Sequence, residues 1–209
     1  MFNYRLSITK EQINALPVIS FPGAITVVDT EEKVAEAVDE LMRHKVIGFD
    51  TETRPSFRKG RVYKVALMQL STLDRCYLFR LNLIGMPDAL CRLIEDAEII
   101  KVGLSVHDDF HVMHRSSEFE PRGFVDLQEM VRDYAISDIS LQKVYAIIFG
   151  GKISKAQRLT NWEAEKLSGA QQRYAALDAW ACLKIYQHLE GGNFCPDHSM
   201  YKTPLEPQA

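Results

Sequence analysis

The chain has 209 residues, of which 46% are hydrophobic and 25% charged. That is the balance of one globular domain with a core of its own, folding without a disulfide framework or structural metal. Lys plus Arg is 25 and Asp plus Glu 28, a net charge of −3. This excludes a strongly basic protein that coats nucleic acid by charge alone, but leaves room for a local basic patch.

Residues 1–24 are expected to form an extended N-terminal arm with a short helix near Lys10–Ala15. Ile25–Asp29 reads as a strand. Thr30 can cap a helix over Glu31–His44, with acids in its first turn and Arg43 and His44 in its last. Val34, Ala37, Val38 and Leu41 supply its apolar stripe. Val46–Asp50 is a buried strand, Arg54–Gly60 a loop and Val62–Ser71 a longer strand that turns at Asp74 into Cys76–Arg80. Helices follow over Pro87–Asp96, Val106–Arg115, Leu127–Tyr134 and Leu141–Phe149, with strands at Ile99–Gly103 and Phe124–Val125. Lys152–Leu167 is a polar connection. Ser168 and Gln171 form a capping box for the last long helix, which Gly191-Gly192 stops. Residues 191–209 hold three prolines and read as a loosely held tail. Strands that pair first and then alternate with helices imply an α/β domain over residues 25–190, a mixed β-sheet flanked by α-helices.

No apolar run approaches a membrane span, and the first residues lack a secretory stretch. The four cysteines make no C-x-x-C pair and read as buried free thiols. Together these place the chain inside the cell, in the cytoplasm, with no membrane partner.

Two acids stand where apolar residues belong. Asp50 ends a buried strand, and alternation puts Glu52 on the same face. Two carboxylates there repel unless a cation lies between them. Asp178 shares the apolar stripe of the last helix with Tyr174, Ala181, Cys182 and Ile185, so it points inward; read alone, it is a buried salt bridge or cap. Asp108 and Asp109 open a helix after Gly103 and, read alone, complement its dipole.

Taken together these sites resemble the three motifs of DEDD-superfamily exonucleases. Phe49-Asp-Thr-Glu52 is similar to the first, D-x-E. Val102–Asp109 resembles the second, with Asp109 matching the family aspartate by its count from Gly103. Tyr174-Ala-Ala-Leu-Asp178 resembles the third, Y-x-x-x-D, which marks the tyrosine subclass. Lys64–Ser71 and Cys76–Phe79 look like the hairpin that follows the first motif. Thr160-Asn-Trp162 and Gln172–Trp180 resemble the approach to the third motif in Werner-type domains. The missing R-P-L after Trp162, and a tail shorter than the helical domains of ribonuclease D, place the resemblance nearer the Werner-type branch.

The resemblance implies a ribonuclease H-like fold and a 3′–5′ exonuclease that uses two divalent ions, Mg²⁺ or Mn²⁺. It implies Asp50 as the bridging ligand, Glu52 and Asp178 completing one metal site, Asp109 at the other, and Tyr174 orienting the attacking water. The partner would be nucleic acid with a free 3′ end, DNA before RNA. Arg58, Lys59 and Arg61, in a basic run just after Glu52, read as phosphate contacts or as a solvated loop, and Trp162 as a base-stacking residue or a buried packing one. Lys152, Lys155 and Arg158 form a second basic cluster. Two other readings compete. One is a ribonuclease H-like module that binds nucleic acid or protein without cutting. The other is a zinc site on His107 and His111, which leaves the carboxylate motifs unexplained.

Overall fold

The computed structural model describes residues 2–58, 60 and 62–205. Strand β1 (Tyr4–Leu6) and helix α1 (Lys10–Asn14) make the arm. They precede β2 (Ala24–Val28), α2 (Glu31–Leu41), β3 (Val46–Thr53), β4 (Val65–Ser71) and β5 (Arg75–Phe79). Next come α3 (Leu81–Ile84), α4 (Asp88–Glu95), β6 (Ile100–Gly103), α5 (Val106–Met113) and β7 (Phe124–Asp126). The chain closes with α6 (Leu127–Met130), α7 (Leu141–Phe149), α8 (Gly169–Glu190) and β8 (Lys202–Pro204). The α2 helix ends at Leu41, so Arg43 and His44 lie past it, where both face Glu40.

Six strands form one mixed sheet in the order β2-β5-β4-β3-β6-β7. β3, β4 and β5 run as an antiparallel meander, while β2 joins β5, and β6 and β7 continue from β3, in parallel. The expected α/β architecture is therefore present. Parallel strands need helical crossovers, and those crossovers cover the sheet. One apolar core lies between the sheet and α7 and α8, and the other between the sheet and α2, α4 and α5. With both faces covered, every residue of β4 is buried.

Alternation along β3 decides what each face receives. Ile47 and Phe49 enter the core beneath α2, α4 and α5. Gly48 faces α8, where a Cβ would stand 2.0 Å from the carbonyl oxygen of Ala179. The missing side chain lets α8 rest directly on β3, beside Asp178.

Through Leu205, the tail is not loosely held. β8 pairs antiparallel with β1, and Ser7 N–H donates to the Tyr201 carbonyl at 3.1 Å. Tyr4 donates its hydroxyl to Asp197, and Leu6 is fully buried. Two three-residue strands far apart in sequence leave no periodic signal, which is why each end reads alone as irregular. The thiols also divide: Cys76 and Cys182 are buried, but Cys91 is partly exposed and Cys195 exposed. Among the described residues no helix is long and apolar enough to cross a membrane.

Candidate active site

The site forms where β3 leaves the sheet beneath α8. Asp50 and Glu52 point from β3 toward α8, and Asp178 comes down from the buried side of α8. Asp50, Glu52 and Asp178 each offer a carboxylate oxygen, all within 4.8 Å of one another. Glu52 is 9% exposed and Asp178 7%. α8 reaches this position because Ser168 and Gln171 cap it reciprocally, as expected from the sequence, and because Gly48 admits it.

Asp109 stands outside that triad, on the first turn of α5. Its Oδ1 accepts a hydrogen bond of 2.5 Å from Thr51 Oγ1, on the strand residue between Asp50 and Glu52. Asp108 faces solvent and accepts from Ser105 Oγ at 2.7 Å. The helix is aimed by Asp126, at the end of β7, which accepts from Ser105 N–H at 3.0 Å and Val106 N–H at 3.1 Å. Ser105 pays for this entry with a left-handed backbone, φ 65°. Asp126 also caps α6, accepting from Gln128 N–H at 2.9 Å, so its local signal is that of an ordinary N-cap, and its hold on α5 depends on partners about twenty residues earlier.

Electrostatics mark the cluster as strained. Burial, then the charges of Asp178, Glu52 and Asp109, holds Asp50 well above the usual carboxylate range. Burial and the Asp178 and Asp109 charges push Glu52 to about 9, against Arg158, which lowers it. Burial lifts Asp178 to about 7, opposed by a hydrogen bond from Tyr174 and by Lys155. Burial lifts Asp109 to about 7, opposed by the Thr51 hydroxyl. Four acids raised together describe a site short of positive charge. Tyr174 is driven upward by burial and by the charges of Asp178, Glu52 and Asp50, so it remains a phenol.

The donor set suits a hard divalent cation. It consists of carboxylate oxygens, the ligands such ions prefer. Asp178 Oδ1 is buried and, among the described residues, has no hydrogen-bond partner. A buried carboxylate oxygen without a donor is costly unless a cation faces it.

The expected substrate residues fare differently. Arg58 is exposed and lines a cleft of about 360 Å³ with Arg54, Phe57, Tyr63, Leu159 and Asn161. Lys59 and Arg61 lie outside the described residues. Arg54 is already engaged, 3.1 Å from Glu163 and over the Tyr63 ring. Trp162 requires correction as a stacking platform. It is 0% exposed, packed with its ring 6.0 Å from that of Tyr174, so neither face is open to a base. The exposed aromatic of this region is Phe57, at 83%. Lys155 and Arg158 act on the acids, whereas Lys152 turns away to Asn14. Sequence reasoning also missed Arg80, which is 2% exposed and donates to the Ala164 and Glu165 carbonyls, pinning the connection ahead of α8.

Residues 25–191 match the 3′-5′ exonuclease family over most of the chain. The chain belongs to that family. It is 31% identical over 185 residues to the bifunctional 3′-5′ exonuclease/ATP-dependent helicase WRN of Mus musculus, covering 83% of this chain and 13% of that protein. It is 28% identical over 173 residues to a ribonuclease D of Gluconacetobacter diazotrophicus, covering 81% of this chain and 43% of the relative. The chain thus spans less than half of either relative. Among solved structures, the Nibbler EXO domain of Aedes aegypti superposes with a TM-score of 0.74 at 23% identity, covering 86% of this chain and 96% of that one. Escherichia coli RNase D gives 0.72 at 21% identity, covering 80% and 44%. These likenesses establish the ribonuclease H-like fold that the sheet order displays.

Proposed function

We propose that the chain is a metal-dependent 3′–5′ exonuclease that hydrolyses nucleic acid from its 3′ end. The observation that carries this reading is the carboxylate triad of Asp50, Glu52 and Asp178, whose oxygens lie within 4.8 Å of one another. Family membership supplies the reaction class.

Asp50, Glu52 and Asp178 would hold one divalent ion, Mg²⁺ or Mn²⁺, with Asp50 shared toward a second on the side of Asp109. Two such ions, when bound, activate water and neutralise charge on the attacking and leaving oxygens of a phosphodiester. Tyr174 stays protonated, so it acts through its hydrogen bonds, orienting the attacking water, and not as a phenolate base. Lys155 and Arg158, close enough to ease the acids, would meet substrate phosphate, and Arg58 with Phe57 would meet the strand leading to the cut; their electrostatic reach to the acids and their cleft support this. The domain boundaries of this reading are 25–190, with the arm and tail as flanking segments.

DNA is the favoured substrate, on the likeness of Thr160–Trp162 and Gln172–Trp180 to Werner-type domains. RNA is the second reading, favoured by the relative named ribonuclease D.

The test is stepwise shortening of 5′-labelled DNA and RNA oligonucleotides with Mn²⁺ or with chelator. Wild type should shorten the strand only with metal, and Asp50→Ala should lose several orders of magnitude. Shortening by Asp50→Ala, or in excess chelator, would overturn the reading. A gel shift without shortening would identify a binding module instead.

A further inference from the structure

Gln69 sits at the centre of β4, directly opposite Asp50 on β3. Its other neighbour across the sheet is Leu78 of β5. Leu67, two residues before Gln69, and Leu78 both enter the core beneath α8. Gln69 therefore shares the α8 face with Asp50, and residues directly opposite in an antiparallel pair have Cβ atoms about 4.5–5.5 Å apart. The side chain is 0% exposed. Among the described residues, neither Oε1 nor Nε2 has a hydrogen-bond partner. Protein interiors rarely keep a primary amide in that condition. Among the described residues, Asp178 Oδ1 is a buried carboxylate oxygen that likewise has no partner.

We propose that Gln69 is a positioning residue that holds the Asp50 carboxylate for the metal by donating from Nε2 to the Asp50 oxygen turned away from the cation. This rests on the metal-dependent reading above. The chemistry suits a glutamine. A lysine here would compete with the cation, and a glutamate would add a further charge to a cluster already repelling itself. A neutral amide donates a charge-assisted hydrogen bond without either effect. Its length spans the gap between facing strands, and burial in β4 leaves it few other rotamers. Partners of this kind fix the orientation of a ligating carboxylate, and their loss typically lowers metal affinity by about 10–100-fold.

The experiment measures Mn²⁺ alone binding to wild type and to Gln69→Met by calorimetry, with thermal unfolding of each in chelator. Met keeps the volume and removes the donor. The expected result is an apo melting temperature equal to or above wild type, with Mn²⁺ affinity reduced about 10–100-fold. Wild-type affinity in Gln69→Met would overturn the proposal, because a residue that only packs would leave the isotherm unmoved. Should Gln69→Met fail to fold, the side-chain amide resonances of wild type decide. On titration with Mg²⁺ the Gln69 pair should shift and become protected from exchange, and an unmoved pair would overturn the assignment. Failure of the wider reading looks different: wild type itself would bind no Mn²⁺.

Discussion

Asp178→Asn should make the metal-free protein more stable and the metal-loaded protein less so. Folding lifts Asp178 from its usual 3.8 to about 7, chiefly by burial. A carboxyl raised on folding favours the protonated native state. Its stabilising contribution is complete below about pH 4 and is lost as pH rises toward the folded value near 7. About three pH units at roughly 1.4 kcal/mol each gives an upper bound of about 4 kcal/mol lost by pH 8. Asparagine stays neutral throughout and avoids that loss. It also relieves Asp50 and Glu52, for both of which Asp178 is the strongest charged neighbour. Half the bound, about 2 kcal/mol, should raise the melting temperature by roughly 4–8 °C in a domain of this size. Bound metal acts oppositely, stabilising wild type by about 2.7 kcal/mol at 100 times its dissociation constant. The assay is thermal unfolding of both proteins at pH 4 and pH 8, with chelator and with millimolar Mn²⁺. The variant should lead at pH 8 in chelator, lose that lead at pH 4, and gain less from Mn²⁺. If it melts at or below wild type at pH 8 and shows the same metal shift, Asp178 is a buried cap and not a ligand.

Tyr174→Phe should bind Mn²⁺ as wild type does but cleave about 10²–10⁴ times more slowly, the usual worth of a positioned hydroxyl; equal turnover at saturating metal would remove Tyr174 from the mechanism. Gly48→Ala should lose about 1–3 kcal/mol by overpacking and weaken Mn²⁺ binding, since the new methyl meets the Ala179 carbonyl at 2.0 Å and lifts α8 with Asp178. Unchanged melting and unchanged Mn²⁺ titration would show that the close approach does not set the site. Lys155→Gln with Arg158→Gln should make the salt dependence of oligonucleotide affinity shallower by about one unit per lost phosphate contact. An unaltered slope would mean that these side chains ease the acids without meeting substrate phosphate.

What the sequence disclosed was local. The capping box of Ser168 and Gln171 and the alternation that puts Asp50 with Glu52 both work within a few residues, and both stand in the structure. Gly48 was legible in principle, because a glycine inside a buried strand marks close approach of another backbone. What stayed hidden depends on partners far along the chain. Stacking and packing are both open to Trp162 from its own sequence neighbourhood, and only its burial against Tyr174 of α8 decides for packing. Gln69 interrupts an apolar run and would suit the wet side of a half-exposed strand. Only a central place in the sheet, with helices over both faces, turns it into a buried amide beside Asp50.

The second acid motif shows most clearly where local reading ends. Asp108 and Asp109 both fall in the first turn of α5, and a helix dipole favours them equally. Their roles separate only through the entry to that helix. Asp126 draws in the Ser105 and Val106 amides, and Ser105 accepts a left-handed backbone to deliver them. That geometry rotates the first turn until Asp108 meets the Ser105 hydroxyl in solvent and Asp109 meets Thr51 at the edge of the carboxylate triad. A residue on β7 thus chooses which of two adjacent aspartates faces the site. Asp126→Ala should therefore disturb Asp109 more than a change at Asp108 would, although Asp108 is its immediate neighbour in the chain. Mn²⁺ titrations of Asp126→Ala and Asp108→Ala compare the two directly, and a larger loss in Asp108→Ala would show that local sequence, and not the β7 cap, sets the position of Asp109.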